Sequence, residues 1–256
     1  FKNPDGHGGS LTALRTSGAL DEMKKRGKEA ISYFQVDNPM VNILDPVFVG
    51  FHHMEKAEVS SKALVKAYAD EKVGVFVRWK DGREGVVEYS DLPKEKMSAV
   101  NKDGSLTYAA GSIAIHLFSR EYIERITSGG TLSLPFHVAR KKIRKYTSQG
   151  SAEIDGFKFE KFVFDALPLA KKSIIMECLR EEEFGPVKNA SGVDSVETSR
   201  RLMSDLFRSW FAVRGIQIPS AVKVIEVSPI VAVAPEDLPA GMKVPSEENV
   251  YIGYKN

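Results

Sequence analysis

The spacing of apolar residues changes along the chain, and these changes predict a fold that mixes strands and helices. Apolar runs at residues 31–36 and 47–51 predict short buried strands, whereas residues 60–70 carry apolar side chains at helical spacing and predict a helix. Residues 73–79 and 85–89 flank an Asp-Gly turn, which predicts a β-hairpin.

The middle of the chain continues this mixture. Residues 113–118 predict a further strand, and residues 120–126 predict a helix that ends before Gly129. Residues 152–164 alternate between apolar and polar side chains, which predicts a second hairpin that turns at Asp155 and Gly156.

The C-terminal part begins with the longest predicted helix. Residues 196–213 carry one apolar stripe, which is typical of an amphipathic helix. Residues 222–227 and 230–233 predict short strands, and prolines interrupt the remainder. We therefore expect an α/β domain with a mixed sheet over residues 1–220 and a small β-rich C-terminal region over residues 221–256.

Composition narrows the classes of protein that fit. The 256 residues include 36 Lys and Arg against 34 Asp and Glu, and this net charge of +2 is too balanced to predict binding to nucleic acid or to a membrane. No membrane-spanning apolar run and no signal-peptide pattern is visible. The single cysteine, Cys178, fits a reducing, cytoplasmic compartment, and its apolar neighbours predict an inert thiol in a buried strand.

A glycine-rich sequence, PDGHGG at residues 4–9, precedes a predicted strand that leads into YFQVDNP at residues 33–39. Glycines let a base or a phosphate approach the main chain, and a carboxylate at the end of a sheet strand points into the ligand crevice. This layout suits a nucleotide that binds together with a metal ion. The glycine cluster by itself also fits an ordinary turn, so its meaning depends on the rest of the chain.

Further sequences follow in a fixed order: VFVGF at residues 47–51, GVVEYS at 85–90, AGSIA at 110–114, FEKFVFD at 159–165, and LREEEF at 179–184 with Lys188 and Asn189. In this order and rough spacing they resemble the UDP-sugar pyrophosphorylase family, most of all its UDP-N-acetylglucosamine branch. The resemblance runs from Pro4 to about Ile230. It implies a nucleotide-sugar transferase-like, Rossmann-like mixed sheet and a uridylyltransferase that forms a UDP-sugar and pyrophosphate from UTP and a sugar 1-phosphate.

Members of that family begin with a Gly-rich loop that holds the triphosphate, and no such sequence is present here. The resemblance therefore implies a central and C-terminal part of such an enzyme, with a sheet that is incomplete at its N-terminus. The expected partners are UTP, a sugar 1-phosphate and the missing N-terminal segment, but neither nucleic acid nor a membrane. We expect that the chain alone does not turn over UTP.

The resemblance also implies Mg²⁺ as the cofactor, with Asp37 as its ligand, because Mg²⁺ on phosphates needs only one or two carboxylates. An Asp that caps the turn before Pro39 is the alternative interpretation. Lys188 matches the family lysine that neutralises phosphate charge, although a lysine on a loop is usually just solvated. Gly6 and His7 match the turn that contacts uracil through main-chain groups. A general-base role for His7 is not expected, because the phosphate nucleophile is already ionised.

The expected sugar-binding residues are Glu88, Gly111, Ser112, Phe162 and Phe164. Glu88 would accept hydrogen bonds from sugar hydroxyls. Phe162 and Phe164, two residues apart on a predicted strand, would face the same side, either towards the sugar or towards the core.

The identity of the sugar stays open. The N-acetylglucosamine enzymes carry asparagines in the segment where this chain has Ala109 and Ser112. A UDP-glucose or broad-specificity pyrophosphorylase is therefore an alternative, as is a non-catalytic fragment that binds a sugar or UDP.

Three charged clusters have simpler interpretations. The basic run at residues 140–145 is expected to be a solvated face. The acidic run at residues 181–183 lacks the spacing of a calcium loop. His52 and His53 have no further ligand at the spacing of a zinc site.

Overall fold

The computed structural model describes residues 6–148 and 150–254, which form two compact units. The large unit contains residues 6–33 and 46–177, and the small unit contains residues 34–45 and 178–254. The boundary that the sequence suggests at residue 220 stays a prediction.

Eight strands and five helices make up the large unit within the described residues. The strands are β1 (Ala30–Tyr33), β2 (Val59–Val65), β3 (Gly74–Arg78), β4 (Glu84–Val87), β5 (Ala110–Ser119), β6 (His137–Thr147), β7 (Gly150–Glu160) and β8 (Ser173–Glu177). The helices are α1 (Gly9–Thr16), α2 (Ala19–Lys25), α3 (Pro46–Met54), α4 (Lys94–Met97) and α5 (Arg120–Ile126), with a 3-10 helix at Val163–Leu169.

A six-stranded mixed sheet is the framework of the large unit. Its order is β4-β3-β5-β2-β8, and β1 also pairs with β5. The β2–β8 pair is parallel, and the other pairs in this sheet are antiparallel. Helices α1, α2 and α5 and the 3-10 helix pack against the sheet, and the core includes Leu11, Leu20, Val59, Phe118, Tyr122, Ile123, Val163 and Leu167. The sequence therefore predicted the α/β class and the mixed sheet correctly.

Several predicted elements of the large unit are confirmed. The hairpin of β3 and β4 turns at Asp81 and Gly82, where the Trp79 N–H donates to the Arg83 carbonyl at 2.9 Å. Strand β5 includes residues 113–118. Helix α5 has the predicted bounds and begins after Ser119, whose Oγ accepts the N–H of Tyr122.

Two predictions were wrong about the type of element. Residues 47–51 lie in helix α3, which begins at Pro46 and buries Phe48 and His52 one turn apart. Residues 60–65 belong to strand β2, although residues 60–70 carry a helical pattern. Strand β2 has a neighbour on each side and is buried along nearly its whole length, so its sequence shows no two-residue period.

Strands β6 and β7 form a separate antiparallel ribbon that is mostly exposed. Asp155 and Gly156 lie inside β7, opposite Lys142 and Lys141, so the hairpin predicted to turn there was wrong. Residues 137–147, which carried no predicted strand, supply the partner. Phe164 is also not on a strand, because the 3-10 helix begins at Val163.

The small unit contains α6 (Arg180–Glu183), α7 (Val196–Val213), β9 (Val224–Val227), a 3-10 helix (Pro235–Asp237) and β10 (Asn249–Ile252). Helix α7 has the predicted bounds. It begins with a capping box, in which Ser195 Oγ accepts the Thr198 N–H and Thr198 Oγ1 accepts the Ser195 N–H.

The core of the small unit forms where α7 meets the parallel β9–β10 pair. Phe207 and Phe211 of the helix pack with Ile225, Leu238 and Val250. The strand predicted at residues 222–227 is confirmed as β9, whereas residues 230–233 form a turn and the partner of β9 comes from later in the chain.

Cys178 follows β8 directly and is half-buried. Strand β8 lies at the edge of the sheet and is partly exposed, so the prediction of a buried strand was wrong there. Throughout the part of the chain that the structure describes, every helix is too short or too polar to cross a membrane.

Candidate functional site

The turn at Gly6 and His7 lies directly on the chain segment that follows β7. Gly6 has φ +88°, and a Cβ there would collide with the carbonyl oxygen of Lys161 and lie 2.8 Å from its nitrogen. The Gly8 N–H donates to the same carbonyl at 2.8 Å. Both the backbone conformation and the close approach therefore require glycine at position 6.

The His7 side chain is fixed by two contacts. Its Nδ1 accepts the Val163 N–H at 3.1 Å, and its ring stacks on Phe162 with centroids 5.1 Å apart. Burial lowers the pKa of His7, against the nearby carboxylates of Glu160 and Asp165, which raise it. His7 is therefore a neutral imidazole whose proton is on Nε2.

Phe162 and Phe164 are brought together, with ring centroids 5.0 Å apart. They stand at the start of the 3-10 helix. The ring of His137 lies 4.5 Å from that of Phe162, and its Nε2 is 2.9 Å from Asp165 Oδ2. His137 was not recognised from the sequence, because nothing in the local pattern of β6 marks it as a neighbour of residues 162–165.

A buried polar pair supports the same cluster of rings from the sheet. His116 on β5 is fully buried, its Nδ1 is 2.8 Å from Ser61 Oγ, and its ring stacks on Tyr33 at 5.8 Å. Burial is the main reason that the pKa of His116 falls to about 3, and the neighbouring His7 lowers it further. Tyr33 in turn lies 5.9 Å from the ring of His7. Neither His116 nor Tyr33 was predicted as a site residue.

Glu88, Gly111 and Ser112 meet around one end of β3. Gly74 of β3 pairs with Ser112, and Val75 pairs with Gly111. Glu88 follows β4, and its Oε2 lies 3.2 Å from where a Gly74 Cβ would be. These three predicted sugar-binding residues are therefore neighbours, although their roles stay predictions.

In the small unit the turn of Asp37 contacts the segment that leads to Lys188. Asp37 lies in a turn and not at the end of β1, which stops at Tyr33. Its carbonyl accepts the Val187 N–H at 2.8 Å. Lys188 is the next residue; it is exposed, and its Nζ lies 5.7 Å from the Phe184 ring centroid.

The donor set around Asp37 fits Mg²⁺ bound through phosphates. Among the described residues no group of three or more His, Cys, Asp or Glu side chains could hold a metal ion. Within the same residues the half-buried carboxylate of Asp37 forms no ion pair or hydrogen bond. Since Mg²⁺ commonly keeps several waters and takes one or two carboxylates plus phosphate oxygens, a single half-buried carboxylate is compatible with this ion, and the role of Asp37 as its ligand stays a prediction.

The other polar clusters have structural roles or are solvated. The basic run at residues 140–145 lies on the exposed strand β6, where Lys142 pairs with Asp155. His52 is buried and its Nδ1 is 2.6 Å from Ser60 Oγ.

Comparison with known proteins identifies the family. Residues 2–232 match the model of the family described as UTP–glucose-1-phosphate uridylyltransferase. The chain belongs to this family.

Relatives of known sequence and structure agree with this assignment. The chain is 38% identical over 247 residues to UDP-N-acetylglucosamine diphosphorylase 2 of Arabidopsis thaliana. The alignment covers 93% of this chain and 48% of that protein. The crystal structure of a putative UDP-N-acetylglucosamine pyrophosphorylase from Entamoeba histolytica superposes with a TM-score of 0.75 at 27% identity, over 99% of this chain and 63% of that one. The Trypanosoma brucei UDP-N-acetylglucosamine pyrophosphorylase superposes with a TM-score of 0.76 at 26% identity, over 92% and 51%.

Membership in the uridylyltransferase family confirms the resemblance that the sequence motifs indicated. The relatives named above are N-acetylglucosamine enzymes, which is the branch that the motifs resemble most. It also confirms the nucleotidyltransferase-like α/β fold. The chain spans about half the length of the curated relatives that it matches.

We expect Gly6→Ala to destabilise the large unit more than Gly18→Ala does. Both glycines have positive φ, +88° and +78°, so alanine at either position lowers stability by roughly 1–2 kcal/mol through the backbone conformation alone. Gly18 has open space around it, whereas Gly6 lies against the Lys161 backbone. Urea unfolding midpoints of the two variants measure the difference, and equal midpoints would show that the turn does not lie on Lys161.

Buried His116 should make the large unit lose stability on acidification. Its pKa is lower in the folded chain, about 3 against 6.5, so protonation favours unfolding as the pH falls from 6.5 towards 3. At pH 5 the free energy of unfolding is lower by about 2 kcal/mol than at neutral pH for this reason. His116→Asn should flatten the dependence of the unfolding free energy on pH. The remaining slope comes from His52, whose pKa is about 4, and from His7, whose pKa is also lowered by burial.

Ser61→Ala is the matched control for that measurement. It removes the hydrogen bond to His116 but keeps the titrating imidazole, so it should lower stability at every pH and retain the wild-type slope. An unchanged slope in His116→Asn would exclude this imidazole as the source.

Proposed function

We propose that the protein carrying this chain is a uridylyltransferase that forms a UDP-sugar and pyrophosphate from UTP and a sugar 1-phosphate. The expected product is UDP-N-acetylglucosamine. Family membership supports the reaction class, and the N-acetylglucosamine enzymes among the relatives support the sugar. The contact that carries the proposal within this chain is the hydrogen bond from the Val187 N–H to the Asp37 carbonyl, because it places the turn that carries the Asp37 carboxylate against the segment that carries the Lys188 ammonium.

Such a pair suits phosphoryl transfer. The attacking sugar phosphate is already ionised, so catalysis depends on positioning the reactants and on neutralising phosphate charge. Asp37 would hold Mg²⁺, which would supply divalent charge to offset the negative charge of the phosphates. The exposed Lys188 ammonium would stabilise the charge that develops on the transferring phosphate.

The large unit supplies groups of the kind that recognise a base and a sugar. The Gly6 turn would offer main-chain groups to uracil, and the neutral His7 would offer its Nε2 proton as a donor. Glu88 would accept hydrogen bonds from sugar hydroxyls beside Gly111 and Ser112. Phe162 and Phe164 would cover an apolar part of the sugar.

A broader choice of sugar is the second candidate, and the short side chains of Ala109 and Ser112 favour it. A site with fewer polar groups to hydrogen-bond a substituent of the sugar discriminates less against sugars that lack this substituent. The reaction is proposed to take place in the cytoplasm, since a single cysteine fits a reducing compartment. UTP and the sugar 1-phosphate are the proposed partners, with no role for nucleic acid or a membrane.

The test of the function is pyrophosphate release from UTP, Mg²⁺ and a panel of sugar 1-phosphates by the protein carrying this chain. N-acetylglucosamine 1-phosphate should be the best substrate, and Asp37→Ala should lower turnover by roughly 10²-fold or more, the scale for losing one electrostatic group. Asp205→Ala, an exposed carboxylate on α7, is the control and should leave turnover unchanged. Absence of release with every sugar would reject the function, and near-normal turnover of Asp37→Ala would reject the metal ligand.

Lys188→Ala should lower kcat by ~10²-fold if its ammonium stabilises charge in the transition state. Lys243→Ala, an exposed lysine of the same unit, is the control. Steady-state kinetics separate the possibilities, because a rise in KM with kcat intact would mean that Lys188 contributes only uniform binding.

A further inference from the structure

Asn38 is a buried polar residue that the proposed chemistry does not use. It is 5% exposed, and its side-chain amide makes hydrogen bonds in both directions. The Nδ2 group donates to the Glu183 carbonyl at 2.7 Å, and Oδ1 accepts the Gly185 N–H at 3.0 Å. Oδ1 also lies 3.4 Å from the N–H of Met40, within its own turn. The side chain therefore ties the turn that contains Asp37 to the segment that leads to Lys188.

That segment, residues 183–189, has no helix or sheet of its own after α6 ends. Backbone N–H groups outside regular structure must find other partners when they are buried. The Phe184 N–H still donates back to the Arg180 carbonyl of α6. From Gly185 onward the N–H groups are satisfied by three separate acceptors: Asn38 Oδ1 for Gly185, the Asp37 carbonyl for Val187, and the Asp194 carbonyl for Lys188 and Asn189. Two of these three acceptors belong to consecutive residues of the turn.

The two consecutive acceptors form a double brace. The Asn38 side chain holds the segment at residues 183–185, and the Asp37 main chain holds it at Val187, one residue before Lys188. A single hydrogen bond would let the segment rotate about the contact, whereas two contacts separated along the chain fix its direction. The Asn38 amide both donates and accepts a hydrogen bond in this brace. Neither an aliphatic side chain nor an ionised carboxylate can do both.

We infer that Asn38 is a positioning residue, which sets the placement of the Lys188 ammonium relative to the Asp37 carboxylate. This inference rests on the proposed function, in which both groups act on phosphate. Misplacement of a charged group by about an ångström can cost a large part of its effect on a transition state. Asn38 itself would touch neither substrate nor metal.

The matched control is Ser199 of α7, which holds the same segment through a different hydrogen bond. Ser199 is 2% exposed, and its Oγ donates to the Gly185 carbonyl at 2.6 Å. Ser199→Ala removes one buried hydrogen bond from the segment but leaves the link to the Asp37 turn intact. Asn38→Ala removes that link. Both variants should lower the melting temperature, so stability alone does not separate them.

The experiment compares Asn38→Ala and Ser199→Ala in the protein carrying this chain, by amide hydrogen exchange and by kinetics. In Asn38→Ala, without metal or substrate, the Val187 amide should exchange at least ~10-fold faster, because its bond to Asp37 loses its support. At saturating substrates kcat should fall ~10-fold or more, and half-maximal activity should need more Mg²⁺. Ser199→Ala should keep the Val187 exchange rate, kcat and Mg²⁺ requirement near wild type.

Equal behaviour of the two variants in exchange and in kcat would overturn the inference, because Asn38 would then be a structural residue only. That failure differs from a failure of the proposed function. If Asp37→Ala and Lys188→Ala both turn over normally, the chemistry assigned to the pair is wrong. If they lose turnover while Asn38→Ala resembles Ser199→Ala, only the positioning role is wrong.

Discussion

Strand β5 hydrogen-bonds to three strands, and this pairing constrains most of the large unit. Its first residues pair with β3 at Gly111 and Ser112, and its last residues pair with β1 from His116 onward. Between the two lies Ala114 at φ +56°, where the register with β2 shifts. A bulge of this kind bends and twists a strand, which lets one strand serve different partners at its two ends. Gly111 and Ser112, two of the candidate sugar residues, and the stacked His116–Tyr33 pair therefore have places set by one strand.

The small unit positions its candidate residues by a different means. No sheet runs through the turn of Asp37 or the segment before Lys188, so side-chain and main-chain hydrogen bonds replace a strand ladder. The Asn38 side chain and the Asp37 and Asp194 carbonyls accept the N–H groups of the segment that leads to and includes Lys188. Such an arrangement is specified by single polar residues, and one substitution can disturb it, because each buried donor left unpaired carries a desolvation cost of about 1–3 kcal/mol.

The difference between the two means of positioning also explains what the sequence could predict. Local signals sufficed where one segment determines its own structure, as in α7 with its capping box and in the Asp-Gly hairpin of β3 and β4. They failed for β2, since a strand buried on both faces has no period that distinguishes it from a helix. They could not find His137 or Asn38, because the partners of these residues lie 28 and about 145 positions away. The family motifs supplied candidate residues, but which of them become neighbours depends on the folded structure.

The hydrogen bond between the Val163 N–H and His7 Nδ1 bears on the kind of chemistry that the large unit can perform. A neutral imidazole acts as a base through the lone pair of its unprotonated nitrogen. In His7 that nitrogen already accepts a backbone N–H, and burial lowers the pKa of the ring. Taking up a proton would therefore break the bond and leave a buried donor unpaired, so His7 can donate from Nε2 but is a poor base. A site built in this way offers a neutral donor, which agrees with the proposed reaction, whose nucleophile arrives ionised and needs no proton removed.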